Sequence, residues 1–278
     1  MNQPFIMAGV MGWPVSHSRS PLIHNHWIKS YGLHGSYGLF PVKPENLQQA
    51  LQGLSALGLA GCNITIPHKV DAMRYMDWVD PHAQKVGAIN TVVVQKDGSL
   101  HGFNNDGFGF LQSLKEVKND WRADTGPVVV LGAGGASRAI LVALLEQGAT
   151  EIRLLNRTFD KAQALAHEFG PAIYALPWSS RHEALADAAL LINTTSQGMQ
   201  GTAELELNLD DLPTTALVSD IIYTPLSTPL LDQASQRGNA TVNGLGMLIH
   251  QARPAFKAWF GVMPEASSSL TDLLVASL

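Results

Sequence analysis

Residues 128–139 read VVVLGAGGASRA. Val128 to Leu131 are four apolar residues in a row, the pattern of a strand buried on both faces. A glycine-rich turn follows, and ILVALLEQG then reads as a long apolar helix. Gly132 and Gly134 hold the first two positions of G-x-G-x-x-G, one for the tight turn and one for close approach of a pyrophosphate to the backbone. The helix start supplies free N–H groups and a positive dipole end. Ser137 stands at the third position, where the pattern asks for Gly or Ala. A glycine pattern alone is weak evidence. The strand before it and the helix after it make this a dinucleotide site rather than a plain Gly-rich turn.

The next strand, EIRLLNRT at residues 151–158, selects the dinucleotide. An NAD site places Asp or Glu at this strand end for the ribose 2′-hydroxyl. Asn156 and Arg157 stand there instead. Arg157 would attract a 2′-phosphate that a carboxylate would repel. Thr158 adds a hydroxyl and Lys161 a second positive charge. The cofactor expected is NADP, unless Arg157 is merely a solvated surface charge.

Outward from this motif the chain alternates strand-like and helix-like runs. Before it, Ile6 to Met11, Gly38 to Val42 and Gly61 to Ile66 read as strands. Pro21 to Tyr31, with Ser20 as N-cap, and Pro44 to Leu57 read as helices. Lys96-Asp97-Gly98 marks a hairpin between Ala88–Gln95 and Ser99–Asn104. After it, strand-like runs recur at Ala189–Asn193 and Ala216–Ile222. GLGMLIHQARPAFKAWFG reads as a helix that Pro254 should kink or divide. The fold class expected is α/β and two-lobed: an N-terminal α/β substrate domain (residues 1–105 and 245–278) and a Rossmann-type NADP domain (residues 106–244), with C-terminal helices returning to the first.

Composition narrows the function. The 278 residues are 46% hydrophobic and 15% charged, with a net charge of −5. There is no basic stripe for nucleic acid. The longest apolar runs are too short to span a bilayer, and no signal-peptide pattern opens the chain. The single cysteine, Cys62, excludes an internal disulfide and fits a reducing compartment. A cytoplasmic enzyme with a small-molecule substrate and no membrane or nucleic-acid partner is expected.

The substrate must be read from the first lobe. In GWPVSHSRSP, Ser16 and Ser18 lie two apart, a spacing that puts both hydroxyls on one side of an extended segment, where they can bind a carboxylate. In NITIPHK, Ile64 and Ile66 read as one buried face, Asn63 and Thr65 as the other, and Lys69 follows the strand end. Asn90 opens a strand in GAINTVVV. Asp106 closes one in HGFNNDGFGF. Ligands of α/β sheets bind beyond the carboxyl ends of strands, which pairs Lys69 with Asp106 as a catalytic candidate facing the nicotinamide. Singly, each would pass for a surface charge. His17, His24, His26 and His68 cluster in sequence, but no metal-ligand spacing unites them, and no metal is expected. Ser196 lacks a nucleophile-elbow pattern.

The chain resembles the shikimate dehydrogenase family from end to end. GWPVSHSRSP, NITIPHK, GAINTV, NNDGFGF, GAGGASRA, NRT, INTTSQGM and GLGMLIHQA occur in the family's order. The resemblance implies NADPH-dependent, reversible reduction of 3-dehydroshikimate to shikimate in aromatic amino-acid biosynthesis, by a monomer or homodimer. It implies that Ser16 and Ser18, with Tyr223, bind the substrate carboxylate. Thr65, Asn90 and Gln251 would bind ring hydroxyls, and Lys69 and Asp106 would form the catalytic pair. Gly132, Ala133, Gly134, Gly135, Ala136, Asn156, Arg157, Thr158 and Lys161 would hold NADP, with Ile221 and Gly244 at the nicotinamide. Two positions depart from the family's commonest pattern: Asn105 stands where Thr is usual, and Lys161 where a second Arg is frequent. A quinate or dual quinate/shikimate dehydrogenase using NAD(P) is the alternative within the family. A catalytically silent metabolite sensor is the alternative outside enzymes, and intact Lys69, Asp106 and glycine loop argue against it.

Overall fold

In the computed structural model, which describes residues 4–278, the chain divides into two units. One runs up to Asp106 and resumes at Ile249–Leu278; the other is Gly107–Leu248. Asp106 therefore falls with the first unit and residues 245–248 with the second, a small shift from the boundaries read in the sequence.

The first unit contains β1 (Ile6–Gly12), α1 (Ser20–Ser30), β2 (Gly35–Pro41), α2 (Leu47–Ala56), β3 (Gly61–Ile64), β4 (Trp78–Val79), α3 (Pro81–Val86), β5 (Thr91–Val94) and β6 (Leu100–Phe103). Its sheet has the order β2-β1-β3-β5-β6-β4. The half from β2 to β3 is parallel. β5 runs antiparallel to both β3 and β6, so the hairpin turns the sheet mixed at its centre. One face packs on Leu47, Leu51 and Leu54 of α2, spaced so that they share a side of that helix.

Several local expectations shift. Arg19, not Ser20, precedes α1, and Ser20 is its first residue. Residues 44–46 form a separate 3₁₀ turn before α2. β3 ends at Ile64, which is 1% exposed, whereas Ile66 is 74% exposed. Ile66 therefore anchors nothing in the core. The ladder stops before Pro67, which has no N–H to extend it.

The second unit begins with α4, whose full range is Asp106–Val117. It continues through β7 (Val128–Leu131), α5 (Gly135–Glu146), β8 (Ile152–Leu155), α6 (Phe159–Phe169), β9 (Ile173–Leu176), β10 (Leu190–Asn193), β11 (Leu217–Asp220), α7 (Pro229–Gln236) and β12 (Thr241–Val242). All six strands are parallel in the order β12-β11-β10-β7-β8-β9. Read from β9, this is 3-2-1-4-5-6, the doubly wound dinucleotide-binding order. Val128 and Val130 enter one core with Ile140 and Leu144 of α5. Val129 and Leu131 enter the other with Leu212 and Leu230. Alternate residues of β7 thus face opposite covering layers, which explains its unbroken apolar run.

Helix α8 spans Gly244–Phe260 and continues through Pro254, so that proline does not divide it. Helix α9 (Ser268–Val275) closes the chain, with Ser267 as N-cap accepting from the Leu270 N–H.

Candidate active site

Lys69 and Asp106 meet. The Lys69 Nζ lies 2.6 Å from Asp106 Oδ2, with the lysine side chain 22% exposed and the aspartate 7%. Local structure holds both in place. Beyond β3 the His68 N–H bonds the Thr65 carbonyl, and the His68 ring sits 2.7 Å from the Val42 carbonyl. The Lys69 carbonyl accepts from the Ile89 N–H at 2.8 Å. Asp106 does not close a strand as the sequence suggested; it is the first residue of α4. There its carboxylate gains from the positive end of the helix dipole, and its N–H donates to Asn104 Oδ1 at 3.0 Å. An ion pair this sheltered forgoes hydration, so its worth depends on further hydrogen bonds to the spare carboxylate oxygen.

Asn90 supplies one. Its Nδ2 donates to Asp106 Oδ1 at 2.8 Å and approaches Gln251 Oε1 at 3.3 Å. Lys69, Asn90, Asp106 and Gln251 therefore form one constellation within the first unit. Thr65 adjoins the same strand ends: its N–H bonds the Met11 carbonyl, and a Cβ at Gly12 would lie 2.4 Å from its methyl. The serine segment differs from expectation. The Ser18 N–H closes a turn on the Val15 carbonyl, so residues 15–18 are not extended. Ser18 Oγ also accepts from the Ser20 N–H. Ser16 is exposed.

A layer under the constellation was missed in the sequence. Tyr37 Oη donates to Asn63 Oδ1 at 2.6 Å, and Asn63 Nδ2 reaches the Asn90 carbonyl at 3.1 Å. Both residues are buried, and burial pushes the Tyr37 phenol well above its ordinary range. Alternation along NITIPHK gave the side of Asn63 but not its partners, which come from β2 and β5. His24 is also buried, stacked on Tyr37 with ring centroids 4.1 Å apart. Burial lowers its pKa to about 3, so the ring is neutral at physiological pH.

In the second unit, the glycine loop turns tightly and leaves its outer side open. Gly132 has φ +107°, and a Cβ there would meet Thr194 Oγ1 at 2.6 Å. A Cβ on Gly134 or Gly135 would meet no protein atom within 4 Å, so the outer side of the loop is open. No side chain caps the start of α5, which leaves its first N–H groups for an anion. Asn156 braces the loop: Oδ1 accepts from the Ala133 N–H at 3.1 Å, and Nδ2 donates to the Thr158 carbonyl at 2.7 Å. Arg157, Thr158 and Lys161 are exposed around the start of α6. Among the described residues neither Arg157 nor Lys161 has a carboxylate partner. Two cations at a helix N-terminus suit a phosphate, so these residues fit NADP.

Ile221 and Gly244 lie back to back. The Gly244 N–H bonds the Ile222 carbonyl, and a Cβ at Gly244 would fall 2.0 Å from the Ile221 carbonyl oxygen. Asp220 holds this loop. It accepts from the Ile222 N–H, Asn193 Nδ2 and Thr228 Oγ1, while burial raises its pKa. Tyr223 follows in the same loop of the second unit. Asp220 and Asn193 carried no sequence signal beyond their places at the ends of parallel strands.

A doubly wound unit with an NADP-type donor set, joined to a unit carrying a lysine–aspartate pair, defines an NADP-dependent oxidoreductase acting on a CH–OH group. Comparison with known proteins agrees. Family models described as shikimate dehydrogenase substrate binding domain, shikimate / quinate 5-dehydrogenase and shikimate 5'-dehydrogenase C-terminal domain match residues 10–92, 114–203 and 244–267. The chain belongs to the shikimate dehydrogenase family. A Rhodospirillum rubrum protein named shikimate dehydrogenase (NADP(+)) is 51% identical over 268 residues, covering 95% of each chain. The solved Thermus thermophilus shikimate 5-dehydrogenase, in complex with NADP(H) and shikimate, is 38% identical with a TM-score of 0.87. It covers 98% of this chain and 100% of that one. Quinate dehydrogenase from Corynebacterium glutamicum, in complex with NAD, is 28% identical with a TM-score of 0.91 and covers the same shares. No described helix is long and apolar enough to cross a membrane.

Proposed function

We propose that the chain catalyses the reversible NADPH-dependent reduction of 3-dehydroshikimate to shikimate, a step of aromatic amino-acid biosynthesis. The observation that carries this reading is the Lys69–Asp106 pair at 2.6 Å, tied to Asn90 and Gln251, in a chain 51% identical to a named shikimate dehydrogenase (NADP(+)). Cys62 as the single, buried cysteine supports a cytoplasmic setting. The active species is a monomer or a homodimer.

Bound NADPH supplies the hydride that forms the new C–H bond. The chain's own groups handle the proton and the charge. As the carbonyl oxygen gains negative charge, the Lys69 ammonium stabilises it and donates a proton. The resulting amine regains a proton from solvent, and in the oxidation direction it takes the hydroxyl proton. Asp106 Oδ2 orients the ammonium, and Asn90 keeps Oδ1 satisfied. Thr65, Asn90 and Gln251 are assigned to ring hydroxyls, and Ser16 and Ser18 to the carboxylate. Tyr223, Ile221 and Gly244 keep the roles that family resemblance implies. Gly132 to Ala136, Asn156, Arg157, Thr158 and Lys161 are assigned to the dinucleotide, Asn156 by shaping the loop from behind.

The test is oxidation of NADPH with 3-dehydroshikimate, beside oxidation of shikimate and of quinate with NADP and NAD. Turnover of shikimate with NADP above all other pairs is expected. A higher kcat/KM for quinate with NAD would transfer the chain to the quinate branch. Ligand binding without turnover would make it a sensor.

A further inference from the structure

Asn90 presents an amide whose two ends are chemically opposite but nearly the same size. Its Nδ2 must face Asp106 for the carboxylate to be satisfied. If the amide turned over, a carbonyl oxygen would confront the carboxylate and repel it. Something must therefore hold Oδ1 on the other side. Two donors do: the Asn105 N–H at 3.0 Å and Thr91 Oγ1 at 2.9 Å.

The Thr91 hydroxyl has no freedom in this. Its oxygen accepts from Asn63 Nδ2 at 3.2 Å and from Asn105 Nδ2 at 3.0 Å. Asn63 cannot be reversed, because the same Nδ2 also meets the backbone carbonyl of Asn90, which only accepts. With the Asn105 amide donating as placed, both lone pairs of Thr91 Oγ1 are filled, and its one proton goes to Asn90 Oδ1. Thr91 and Asn90 are 1% and 2% exposed, so water does not substitute for a lost partner. Asn105 now has a local account as well. Where the family commonly carries Thr, this chain's Asn sends an amide donor to Thr91 Oγ1.

We propose that Thr91 is a positioning residue for the reaction: its hydroxyl, locked by the Asn63 and Asn105 amides, fixes the orientation of Asn90 and so the Asn90–Asp106–Lys69 alignment. The assignment rests on the functional reading above. Thr91 acts through Asn90 and is assigned no direct contact with substrate or dinucleotide.

Three substitutions test it. Thr91→Val keeps the shape and removes the hydroxyl. Thr91→Ser keeps the hydroxyl and removes a methyl. Thr91→Ala removes both. The quantities measured are kcat and KM for shikimate and for NADP, per folded protein, with Tm for each variant. Thr91→Val should lower kcat/KM for shikimate about tenfold or more, the scale of one buried hydrogen bond. The dissociation constant for NADP should stay unchanged. Thr91→Ser should restore at least half of wild-type kcat/KM, even where its Tm is lower. A residue that only fills space would give the opposite order, with Val near wild type and Ser impaired, and that result overturns the assignment. If Thr91→Val does not fold, Ser against Ala makes the same comparison, and equal kcat/KM in those two overturns it. Wild-type turnover in the same assay tests the functional reading separately: an inactive wild type defeats that reading, whereas an active wild type matched by Thr91→Val defeats the Thr91 assignment alone.

Discussion

The two carboxylate oxygens of Asp106 serve different partners: Oδ2 receives the Lys69 ammonium at 2.6 Å and Oδ1 the Asn90 amide at 2.8 Å. The lysine is thereby held in one orientation with its charge balanced, as a group that delivers a proton to a fixed place requires.

Lys69→Ala should lower kcat about 100-fold or more, the usual scale for a positioned acid–base group. The dissociation constant for NADPH should hold, since Lys69 and the glycine loop belong to different units. Steady-state turnover with fluorescence titration of NADPH checks both, and near-normal kcat would remove Lys69 from the chemistry.

Arg157→Ala should reduce kcat/KM for NADPH about tenfold or more while kcat/KM for NADH changes within about twofold. On the proposed assignment, the interaction lost would be a charge-assisted bond to the 2′-phosphate, which NADH lacks. Equal losses with both dinucleotides would show that Arg157 acts on something the two cofactors share. Lys161→Ala should act in the same direction.

Gly132→Ala should destabilise the fold by about 1–3 kcal/mol through its left-handed backbone alone. The added Cβ also meets Thr194 Oγ1. Thermal unfolding with and without NADP measures both effects: Tm should fall, and the rise in Tm on adding NADP should shrink. A variant with wild-type Tm would mean the loop relaxes freely.

His24 should make the protein sensitive to acid. Its folded pKa, about 3, lies below its ordinary value because burial among Tyr37, Trp27, Phe256 and Trp259 disfavours the charged ring. A depressed folded value means that the contribution to stability is fully present above the unfolded pKa, near 6.5. It is lost as pH falls toward about 3. Between about pH 6 and pH 4 wild-type stability should fall more steeply than that of His24→Phe, by about 1.4 kcal/mol per pH unit. Parallel curves in urea unfolding across this range would contradict a neutral, buried His24.

Local pattern made much of the second unit readable. An unbroken apolar run in β7 required two covering layers, and the glycines after it required a turn at a helix start. Those are properties of neighbours in sequence. The first unit was less legible for the same reason turned round. Ile66 looked like Ile64 because they alternate correctly, but the strand ended between them. Asp106 looked like a strand end and is a helix start, since the turn after β6 is too short for periodicity to register. Ser16 and Ser18 looked extended and lie at a turn.

Local pattern carried the α/β alternation, the doubly wound second half and a glycine loop with cations nearby, and family resemblance carried the chemistry. The sequence paired Lys69 with Asp106 as a catalytic candidate from their places at strand ends, without a distance or a geometry. Folding supplied the contact between them, the joining of Asn90 and Gln251, and the support of Asn90 by Tyr37, Asn63 and Thr91. Apart from the bond between the neighbours Thr91 and Asn90, those contacts link residues 16 to 161 positions apart in sequence. The physical reason is that periodicity assigns a side chain to a face, whereas hydrogen-bond direction depends on what an unrelated strand brings opposite it.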